Sequence, residues 1–454
     1  MTVTVLSCSA TAILKGGIPS NSNGQVIIGK LTIPEYQRAY CWQEQQLAQL
    51  LADIKAHNEH TPELPYYLGS LILHQAKGKL NIIDGQQRVT TLAIISCVIN
   101  GATNIDLHFE SPLSQQQIKH NLVWLWQRVD TLSTLVQLDR LHFSVVIAQS
   151  EDDAYRFFET QNTGGVRLGG PDIIKAHHLR AVNKVYQLNF AKAWEALGEL
   201  DDVIKALLKG RYWQLLQYRE LPSHQQKKQL RDTIVDEFAK QTGNGTDVAY
   251  GRISRCRSLS GEMFLQSAQQ GYDVRQPLNE GVNTIHYLTY FQTLYNDYYD
   301  RPDLSHLKGY EEFITWLKSL KGCGYLQGLY EACLLLYISQ FGENQLEQAA
   351  KKLFRVVYSR RVSNQKAVRE QSIPAFVREN PVLDWIALSY TPDQCFKLLD
   401  TFVLVVDSSN LDINSTKKRF MDAVVKHFNL SIASENYDQK FAAALTYAVS
   451  NKSL

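Results

Sequence analysis

The sequence predicts an α+β protein, with a small mixed α/β domain over residues 1–180 and a mostly α-helical domain over residues 181–454. Short β-rich runs alternate with amphipathic helical segments in the first 180 residues, and the β pattern then fades. The chain of 454 residues also exceeds what one hydrophobic core usually serves. Together these observations predict two domains.

The elements predicted for the first domain follow one another closely along the chain. In residues 43–55 the apolar side chains recur at helical spacing: Leu47, Leu50, Leu51 and Ile54. Two β-rich runs on either side of a turn at 76–79 predict a hairpin. In order, the patterns predict an extended segment at 25–33, a helix at 43–55, a hairpin at 67–83, helices at 86–98 and 114–137, a strand at 141–147 and a helix at 152–160.

The second domain is predicted to be almost entirely helical. Helical apolar spacing recurs in six of its segments: 189–208, 224–240, 285–299, 309–319, 326–340 and 344–360. The segments at 241–251 and 301–308 have loop composition, and there is neither an internal repeat nor a Pro/Ser-rich linker.

Composition excludes several classes of protein. Hydrophobic and charged fractions of 44% and 20% are those of a soluble globular chain. With 47 basic and 45 acidic residues, any contact with nucleic acid must be a local patch. Seven widely spaced cysteines without a Cys-x-x-Cys pair, no signal peptide and no long apolar run predict a cytoplasmic protein that does not enter a membrane.

The strongest local signal is the segment LNIIDGQQRVTTLAII at residues 80–95. A strand ends before Asp84, Gly85 makes the turn, and a helix begins whose free N–H groups attract anions. Arg88 in the first turns suits a bidentate phosphate contact, and Asp84 suits a magnesium ion or a water molecule. The alternative is that Asp84 caps the helix and Arg88 lies on a solvated face.

A second segment, IPEYQRAYCW at residues 33–42, interleaves aromatic side chains with a cation. If this segment is extended, one face carries Tyr36, Arg38, Tyr40 and Trp42, a pattern that suits base stacking and phosphate contact. The alternative, which we favour for Tyr40 and Trp42, is that both anchor the next helix in the core. Tyr36, Gln37 and Arg38 remain candidate binding residues.

A third segment, FFETQNTGGVRLGGPDIIKAHHL at residues 157–179, places a glycine-rich turn before a helix that begins near Pro171. Such turns cradle phosphates, but they are also ordinary loops. Lys175 and the pair His177–His178 lie on the helix. Neighbouring histidines point in different directions there, so we predict no zinc site.

The fourth segment is a basic run at residues 351–369, with seven Lys or Arg and no acidic residue. It predicts a helical face that follows DNA phosphates through Arg360, Arg361, Lys366 and Arg369. The alternative is a solvated helix face. The apolar residues Leu353, Val356 and Val357 form the expected buried stripe.

The first three segments together resemble the DUF262 family, which forms the N-terminal domain of GmrSD/SspE-type restriction and defence proteins. The resemblance rests on their order from about residue 25 to residue 180: Ile-Pro-x-Tyr-Gln-Arg-x-Tyr-x-Trp, Leu-Gly-Ser, Asp-Gly-Gln-Gln-Arg, and Phe-Glu-x-x-Asn-Thr-x-Gly-x-x-Leu with a downstream Asp and Lys.

The resemblance implies a ParB/sulfiredoxin-like fold for residues 1–180 and a site that binds and hydrolyses a nucleoside triphosphate with Mg²⁺. The implied catalytic residues are Asp84, Gln86, Gln87 and Arg88, with Asp84 as the metal ligand. The implied nucleotide-binding residues are Gln37, Arg38, Gly85, Arg88, Thr90, Asn162 and Lys175. Tyr36 is implied in sensing DNA. The match at Asn162, Asp172 and Lys175 is less complete, because Gly169-Gly170-Pro171 departs from the polar residues of the pattern.

GmrSD-type fusions end in an HNH nuclease, whose chemistry needs clustered His and Asn side chains. The last 140 residues of this chain contain one histidine, His427. We therefore expect an NTP-hydrolysing sensor or regulatory component of a modification-dependent restriction or phage-defence system, which forms a homo-oligomer or works with a separate HNH-type nuclease chain. The alternatives are a ParB-like, nucleotide-switched DNA-binding protein without significant hydrolysis, and a degenerate α/β scaffold for the helical half.

Overall fold

The fold is taken from a computed structural model of the chain. It describes residues 3–19, 26–102, 107–151, 153–154, 170–249, 253–257, 260–261, 263–267, 271–365, 368–411 and 415–450. The chain divides into two compact units, residues 1–196 and 197–454. The first holds a mixed sheet with helices and the second is mostly helical, so the predicted α+β class is confirmed. The helix at 187–196, which we assigned from the sequence to the second domain, belongs to the first unit.

The sheet of the first unit is mixed and has five strands. The strands of this unit are β1 Val3–Ser9, β2 Gly17–Pro19, β3 Val26–Ile28, β4 Lys30–Thr32, β5 Tyr66–Ala76, β6 Lys79–Asp84 and β7 Leu141–Ala148. The order in the sheet is β1-β7-β5-β6-β4, and β2 and β3 form a separate antiparallel pair. β5 is parallel to β7 and antiparallel to β6, while β4 is parallel to β6.

The predicted hairpin is β5 and β6. Its two-residue loop is Lys77 and Gly78, both with positive φ (47° and 73°), as tight hairpin turns with the twist of the strands require. β5 also carries a register shift between Tyr67 and Ser70 where it pairs with β7. This shift lies beside Gly69, whose φ is +95°.

Among the residues that the structure describes, the first unit has seven helices: α1 Ala10–Leu14, α2 Glu44–His60, α3 Gln86–Ile99, α4 Pro112–Trp126, α5 Val129–Leu135, α6 Gly170–Ala181 and α7 Gln187–Ala196. α2 begins with a capping box between Gln43 and Gln46, and it buries Leu47, Leu50 and Ile54 as predicted. α3 is buried on almost every side, because it lies in the hydrophobic core and packs against α4 and α5. The start of α3 is therefore held rigidly against the end of β6.

Two features of the first unit differ from the sequence analysis. Residues 33–42 are not a strand, because a turn at 35–37 interrupts them, so the expected common face of Tyr36, Arg38, Tyr40 and Trp42 does not form. β1 was not predicted, yet it pairs with β7 along its whole length and buries Leu6 and Cys8. Most of the helix predicted at 152–160 lies outside the described residues.

The second unit is built from helices and one hairpin. The helices are α8 Asp201–Tyr212, α9 Lys227–Val235, α10 Val282–Tyr295, α11 Lys308–Lys318, α12 Gly324–Phe341, α13 Leu346–Val357, α14 Ser359–Ser363, α15 Ser372–Glu379, α16 Val382–Ala387, α17 Pro392–Asp400, α18 Thr416–His427 and α19 Tyr437–Ser450. π-helical turns at Asp236–Lys240 and Asn296–Asp300 extend α9 and α10. The strands β8 Ile253–Arg257 and β9 Met263–Ser267, absent from our prediction, form an antiparallel pair.

α12 is the central helix of this unit. It is apolar around its circumference, buries twelve of its eighteen residues, and packs against α8, α13 and α16. None of the helices that the structure describes combines the length and the apolarity needed to cross a membrane.

A buried ion cluster stabilises the second unit near α8. The carboxylate of Glu237, 4% exposed, accepts hydrogen bonds from Arg211 Nε and Arg219 Nη1, each at 2.6 Å. Burial raises the pKa of Glu237, but the hydrogen bonds and charges of the two arginines outweigh it and hold the pKa below its ordinary value. The carboxylate is therefore ionised in the folded unit at neutral pH.

Candidate functional site

The junction between β6 and α3 has the geometry that the sequence predicted. β6 ends at Asp84, Gly85 turns the chain with φ +94°, and α3 begins at Gln86. A Cβ atom on Gly85 would lie 2.8 Å from Cδ1 of Leu71, so both the backbone angle and the space require glycine. The turn directs the first N–H groups of α3 toward the end of the sheet.

Arg88 links this junction to the bulge in β5. Its guanidinium donates from Nη1 to the carbonyl of Leu68 at 2.6 Å and from Nη2 to the carbonyl of Ser70 at 2.9 Å. A Cβ atom on Gly69 would overlap Nη1 of Arg88, so the approach depends on a glycine between these two carbonyls. The Leu-Gly-Ser and Asp-Gly-Gln-Gln-Arg segments are therefore two halves of one structural contact.

Two glutamine amides fasten the 33–42 segment to the same junction. Gln87 Oε1 accepts from the backbone N–H of Cys41 at 2.9 Å, and Gln87 Nε2 donates to the carbonyl of Ala39 at 3.1 Å. Gln37 Nε2 donates to the carbonyl of Ile83 at 2.9 Å, one residue before Asp84. These contacts, which we call the amide clamps, hold residues 37–41 beside the start of α3.

Tyr40 lies in the core, as the favoured alternative predicted. It is 1% exposed, and its hydroxyl shares hydrogen bonds with Thr91 Oγ1 at 2.8 Å and Asn121 Nδ2 at 3.0 Å. Trp42 packs partly buried against the same core. Tyr36 is also buried, at 4% exposure, so its ring is not available for stacking on a DNA base in this structure.

Arg38 is the partly exposed cation of the site. Its side chain is 31% exposed, and its Nη1 atom lies 3.9 Å from a carboxylate oxygen of Asp172 in the first turn of α6. Its charge also acts on Asp84, whose side chain is 33% exposed and lies 3.6 Å from Arg88 Nη2. Burial raises the pKa of Asp84, while Arg88, the Gly85 N–H and Arg38 oppose that rise.

The buried side chain of Lys175, in the third segment, contacts the second segment. It is 3% exposed, and its Nζ atom donates to the carbonyl of Gln37 at 3.2 Å and to the Glu195 carboxylate at 3.1 Å. The ammonium group is thus paired internally. The three sequence segments meet in space, with Arg38, Asp84 and Asp172 as the partly exposed charges at their meeting point.

Comparison with known families decides which group the chain belongs to. The family model of the GmrSD restriction endonuclease, N-terminal domain, matches residues 20–179, which contain all three segments. Residues 20–179 therefore form a domain of the DUF262 family. A second family model, a family of unknown function (DUF7834), matches residues 186–415, just over half of the chain. The chain belongs to that family.

The match confirms the resemblance drawn from the motifs, and it associates this DUF262 chain with restriction systems. No family model of an HNH nuclease matches, and no curated protein matches the chain.

Several candidate residues of the DUF262 domain are buried in this structure. Gln86 and Gln87 are 5% and 7% exposed, and Thr90 is fully buried. Thr90 is buried and Lys175 is paired with Glu195, and their contact with a nucleotide stays a prediction. Asn162 lies outside the described residues.

The expected Mg²⁺ site needs carboxylate side chains as ligands. Within the described ranges, no group of three or more His, Cys, Asp and Glu side chains is arranged to hold a metal ion. Asp84 and Asp172, both near Arg38, are the carboxylates of the site. Mg²⁺ in nucleotide sites commonly uses one or two carboxylates and takes its other ligands from phosphates and water, so these residues fit that mode.

The basic run at 351–369 does not form one exposed face. Lys352, Arg355 and Arg361 are 2%, 2% and 4% exposed, and the first two pair with Asp400. Arg360 lies over the ring of Phe376, with 5.9 Å to the centroid. Two other residues of the run were predicted to contact DNA. Arg369 is exposed, and Lys366 lies outside the described residues.

Sequence reasoning missed a cationic cavity in the same domain. A cavity of about 630 Å³ lies beside Tyr36, against one face of β4, β5 and β6. Its lining carries four cations that are scattered along the chain: Lys30, Lys79, Arg180 and Lys184. No local spacing signals this set, because only the fold brings β4, β6 and the end of α6 together. Gly69 and Glu195 were missed for the same reason.

Proposed function

We propose that this chain is a nucleoside-triphosphate-binding and hydrolysing sensor or regulatory component of a cytoplasmic restriction or phage-defence system. The observation that carries the proposal is the convergence of three separate segments on Arg38, Asp84 and Asp172 beside the start of α3. The three groups are each about one-third exposed. That exposure suits a site filled by a ligand.

The arrangement supplies what a triphosphate needs. Arg38 offers a planar, permanently charged donor group for phosphate oxygens. The N-terminus of α3 adds backbone N–H groups and the positive end of the helix dipole. Asp84 and Asp172 supply oxygen ligands for Mg²⁺, which when bound would neutralise phosphate charge and orient a water molecule for hydrolysis.

The proposal divides the work of restriction between chains. DNA, modified or unmodified, would regulate nucleotide turnover by this chain, and a partner chain with an HNH-type nuclease would cut. The association with restriction systems supports a role in restriction, and the division between chains is part of the proposal.

Isothermal titration calorimetry with ATP and GTP in the presence of Mg²⁺, combined with a phosphate-release assay, tests the proposal. We expect Arg38→Gln to weaken binding about tenfold or more, because a charged hydrogen bond contributes about 1.5–3 kcal/mol. Asp84→Asn and Asp172→Asn should lower turnover more than binding. Arg128→Gln and Asp130→Asn are matched controls, since both residues are solvent-accessible and belong to the α4–α5 region of the same unit.

Two results would contradict the proposal or narrow it. Binding and turnover that are unchanged in all three site variants would remove Arg38, Asp84 and Asp172 from the site. Tight binding without phosphate release, with or without DNA, would instead identify a ParB-like nucleotide switch that does not hydrolyse.

A further inference from the structure

A separate cavity in the helical unit has the chemistry of a ligand site. It has a volume of about 410 Å³ and lies between α8, the segment from Trp213 to His224, the first turns of α12, and α15. Small-molecule sites in proteins are typically about 300–1,000 Å³. The cavity belongs entirely to residues 205–378, so it is distinct from the nucleotide site proposed in the DUF262 domain.

The cavity has aromatic walls. Its lining includes Trp213, Tyr218 and Tyr325, together with the His224 imidazole, whose ring centroid lies 5.7 Å from that of Tyr325. Tyr325 is 41% exposed, although large aromatic side chains are usually buried. Aromatic faces of this kind stack on planar ligands such as nucleobases.

Trp213 presents a buried hydrogen-bond donor that the protein itself does not use. The residue is 5% exposed, and its indole Nε1 has no hydrogen-bond partner among the residues that the structure describes. A buried indole N–H normally finds a partner, because leaving it unpaired costs free energy. An acceptor atom on a bound ligand would satisfy it.

The charges of the lining favour an anion. Three cations, Lys205, Lys209 and Arg378, and two carboxylates, Glu220 and Glu370, line the cavity, which leaves the charged lining net positive. Arg378 lies over the Tyr218 ring at 5.1 Å, and Lys205 lies 3.6 Å from Asp202. The Glu370 carboxylate in the same wall is already engaged by Ser223 and by His224, at 2.6–2.8 Å. Burial lowers the pKa of Lys209, which indicates that its ammonium group lacks full compensation inside the protein.

Two glycines of α12 keep the cavity open. A Cβ atom on Gly324 would meet no heavy atom within 4 Å, and one on Gly328 would lie 3.2 Å from Lys209 Nζ. Side chains at these positions would occupy space in front of the aromatic walls. The two lie four residues apart and therefore on one face of the helix.

We propose that this cavity binds a nucleotide, with the base among Trp213, Tyr218 and Tyr325 and the phosphate group at Lys205, Lys209 and Arg378. The ligand is either a free nucleoside monophosphate or one nucleotide of single-stranded DNA, since both present the same base and phosphate. This assignment does not depend on triphosphate hydrolysis in the DUF262 domain.

Calorimetry on the full chain with chemically dissected probes tests the proposal. The probes are the four common nucleoside 5′-monophosphates, the corresponding nucleosides, ribose 5-phosphate, and a short single-stranded oligonucleotide. We expect a monophosphate to bind at least tenfold more tightly than its nucleoside or ribose 5-phosphate, because each of those lacks one of the two recognised groups. Binding of the oligonucleotide alone would assign the site to a nucleotide within DNA.

Variants locate the binding. Gly324→Leu should abolish it by filling the cavity, and Arg378→Gln should weaken it about tenfold by removing a charged donor. Trp213→Phe keeps a ring but removes the N–H, and should weaken binding less than Gly324→Leu. Matched controls are Lys308→Gln, on the exposed surface of the same unit, and Trp316→Phe, a second tryptophan outside the cavity. Circular dichroism verifies that each variant is folded.

Two outcomes would overturn the proposal. If no probe binds the folded full chain, the cavity is not a nucleotide site. If binding persists in Gly324→Leu and is lost in Arg38→Gln, the nucleotide occupies the DUF262 domain instead. Loss of triphosphate hydrolysis in Arg38→Gln with retained monophosphate binding would show that the two sites are independent.

Discussion

The contact between Arg88 and the bulge of β5 predicts a specific loss of stability in the variant Gly69→Ala. Gly69 has φ +95°, and a methyl group there would overlap Nη1 of Arg88. The guanidinium would have to leave the carbonyls of Leu68 and Ser70, which it reaches at 2.6 and 2.9 Å. Strand and helix would lose their link at the site.

The magnitude follows from two contributions. A non-glycine residue at this backbone angle costs about 1–3 kcal/mol. Each charge-assisted hydrogen bond contributes roughly 1.5–3 kcal/mol. Because the Arg88 side chain is 25% exposed and water replaces part of these bonds, we expect their combined loss to cost about 2–4 kcal/mol. Gly69→Ala should therefore cost about 3–7 kcal/mol, and Arg88→Ala alone about 2–4 kcal/mol.

A double-mutant cycle read by hydrogen–deuterium exchange over β5 and α3 tests this account. In the Arg88→Ala background, Gly69→Ala should cost only the backbone strain, so the two changes should couple by about 2–4 kcal/mol. Gly78→Ala is the matched control, because its φ is +73° and a Cβ atom there meets nothing within 4 Å. Gly78→Ala should lower the free energy of unfolding only by the backbone strain, both in the wild type and in the Arg88→Ala variant.

Additive effects of Gly69→Ala and Arg88→Ala, or equal costs for Gly69→Ala and Gly78→Ala, would refute the reasoning. Either result would mean that the hydrogen bonds of Arg88 do not depend on Gly69.

Three further predictions concern pH, DNA and cleavage. Glu237→Gln should destabilise the helical unit by about 3–5 kcal/mol at neutral pH, since it leaves the buried Arg211 without its charged partner. Because the folded pKa of Glu237 lies below its ordinary value of 4.5, its contribution is complete above that value and is lost as pH falls through the folded pKa, so wild type and variant should converge in acid urea titrations. Arg369→Ala should lower the salt dependence of DNA affinity by about one unit of slope, equally for modified and unmodified duplexes, whereas an unchanged slope would show that Arg369 does not contact phosphate. The purified chain should leave modified and unmodified plasmids intact with Mg²⁺ or Mn²⁺ and nucleotide; cleavage that disappears in Asp84→Asn would show that the chain is itself a nuclease.

The elements that local pattern alone determines could be predicted from the sequence. The β5–β6 hairpin, α2 and α3 follow from period and turn residues within a few positions of one another. β1 was missed because its partner β7 lies about 135 residues away, beyond any local pattern. Residues 33–42 were considered as a strand from their alternation, but the amide clamps hold them in an irregular path.

The site could be predicted by segment but not by the role of each residue. The sequence analysis grouped the three segments that meet in the fold. It could not reveal that Glu195 neutralises Lys175, or that the side chain of Arg361 turns into the core. Cations are rarely buried without a partner, and the partner of Lys175, Glu195, comes next to it only in the fold. Arg38 is partly exposed and Tyr36 is buried, and this difference depends on the turn at 35–37, which the sequence pattern did not predict.

The amide clamps are electrically neutral, and that has a practical consequence for measurements on the site. Gln37 and Gln87 carry no titratable proton and no net charge, so neither pH nor ionic strength weakens their hydrogen bonds in the way that salt weakens exposed ion pairs. The frame around Asp84 should keep its shape while the carboxylate itself gains or loses a proton. Changes in ligand affinity with salt or pH can then be read as changes in charge at the site rather than as rearrangement of its backbone.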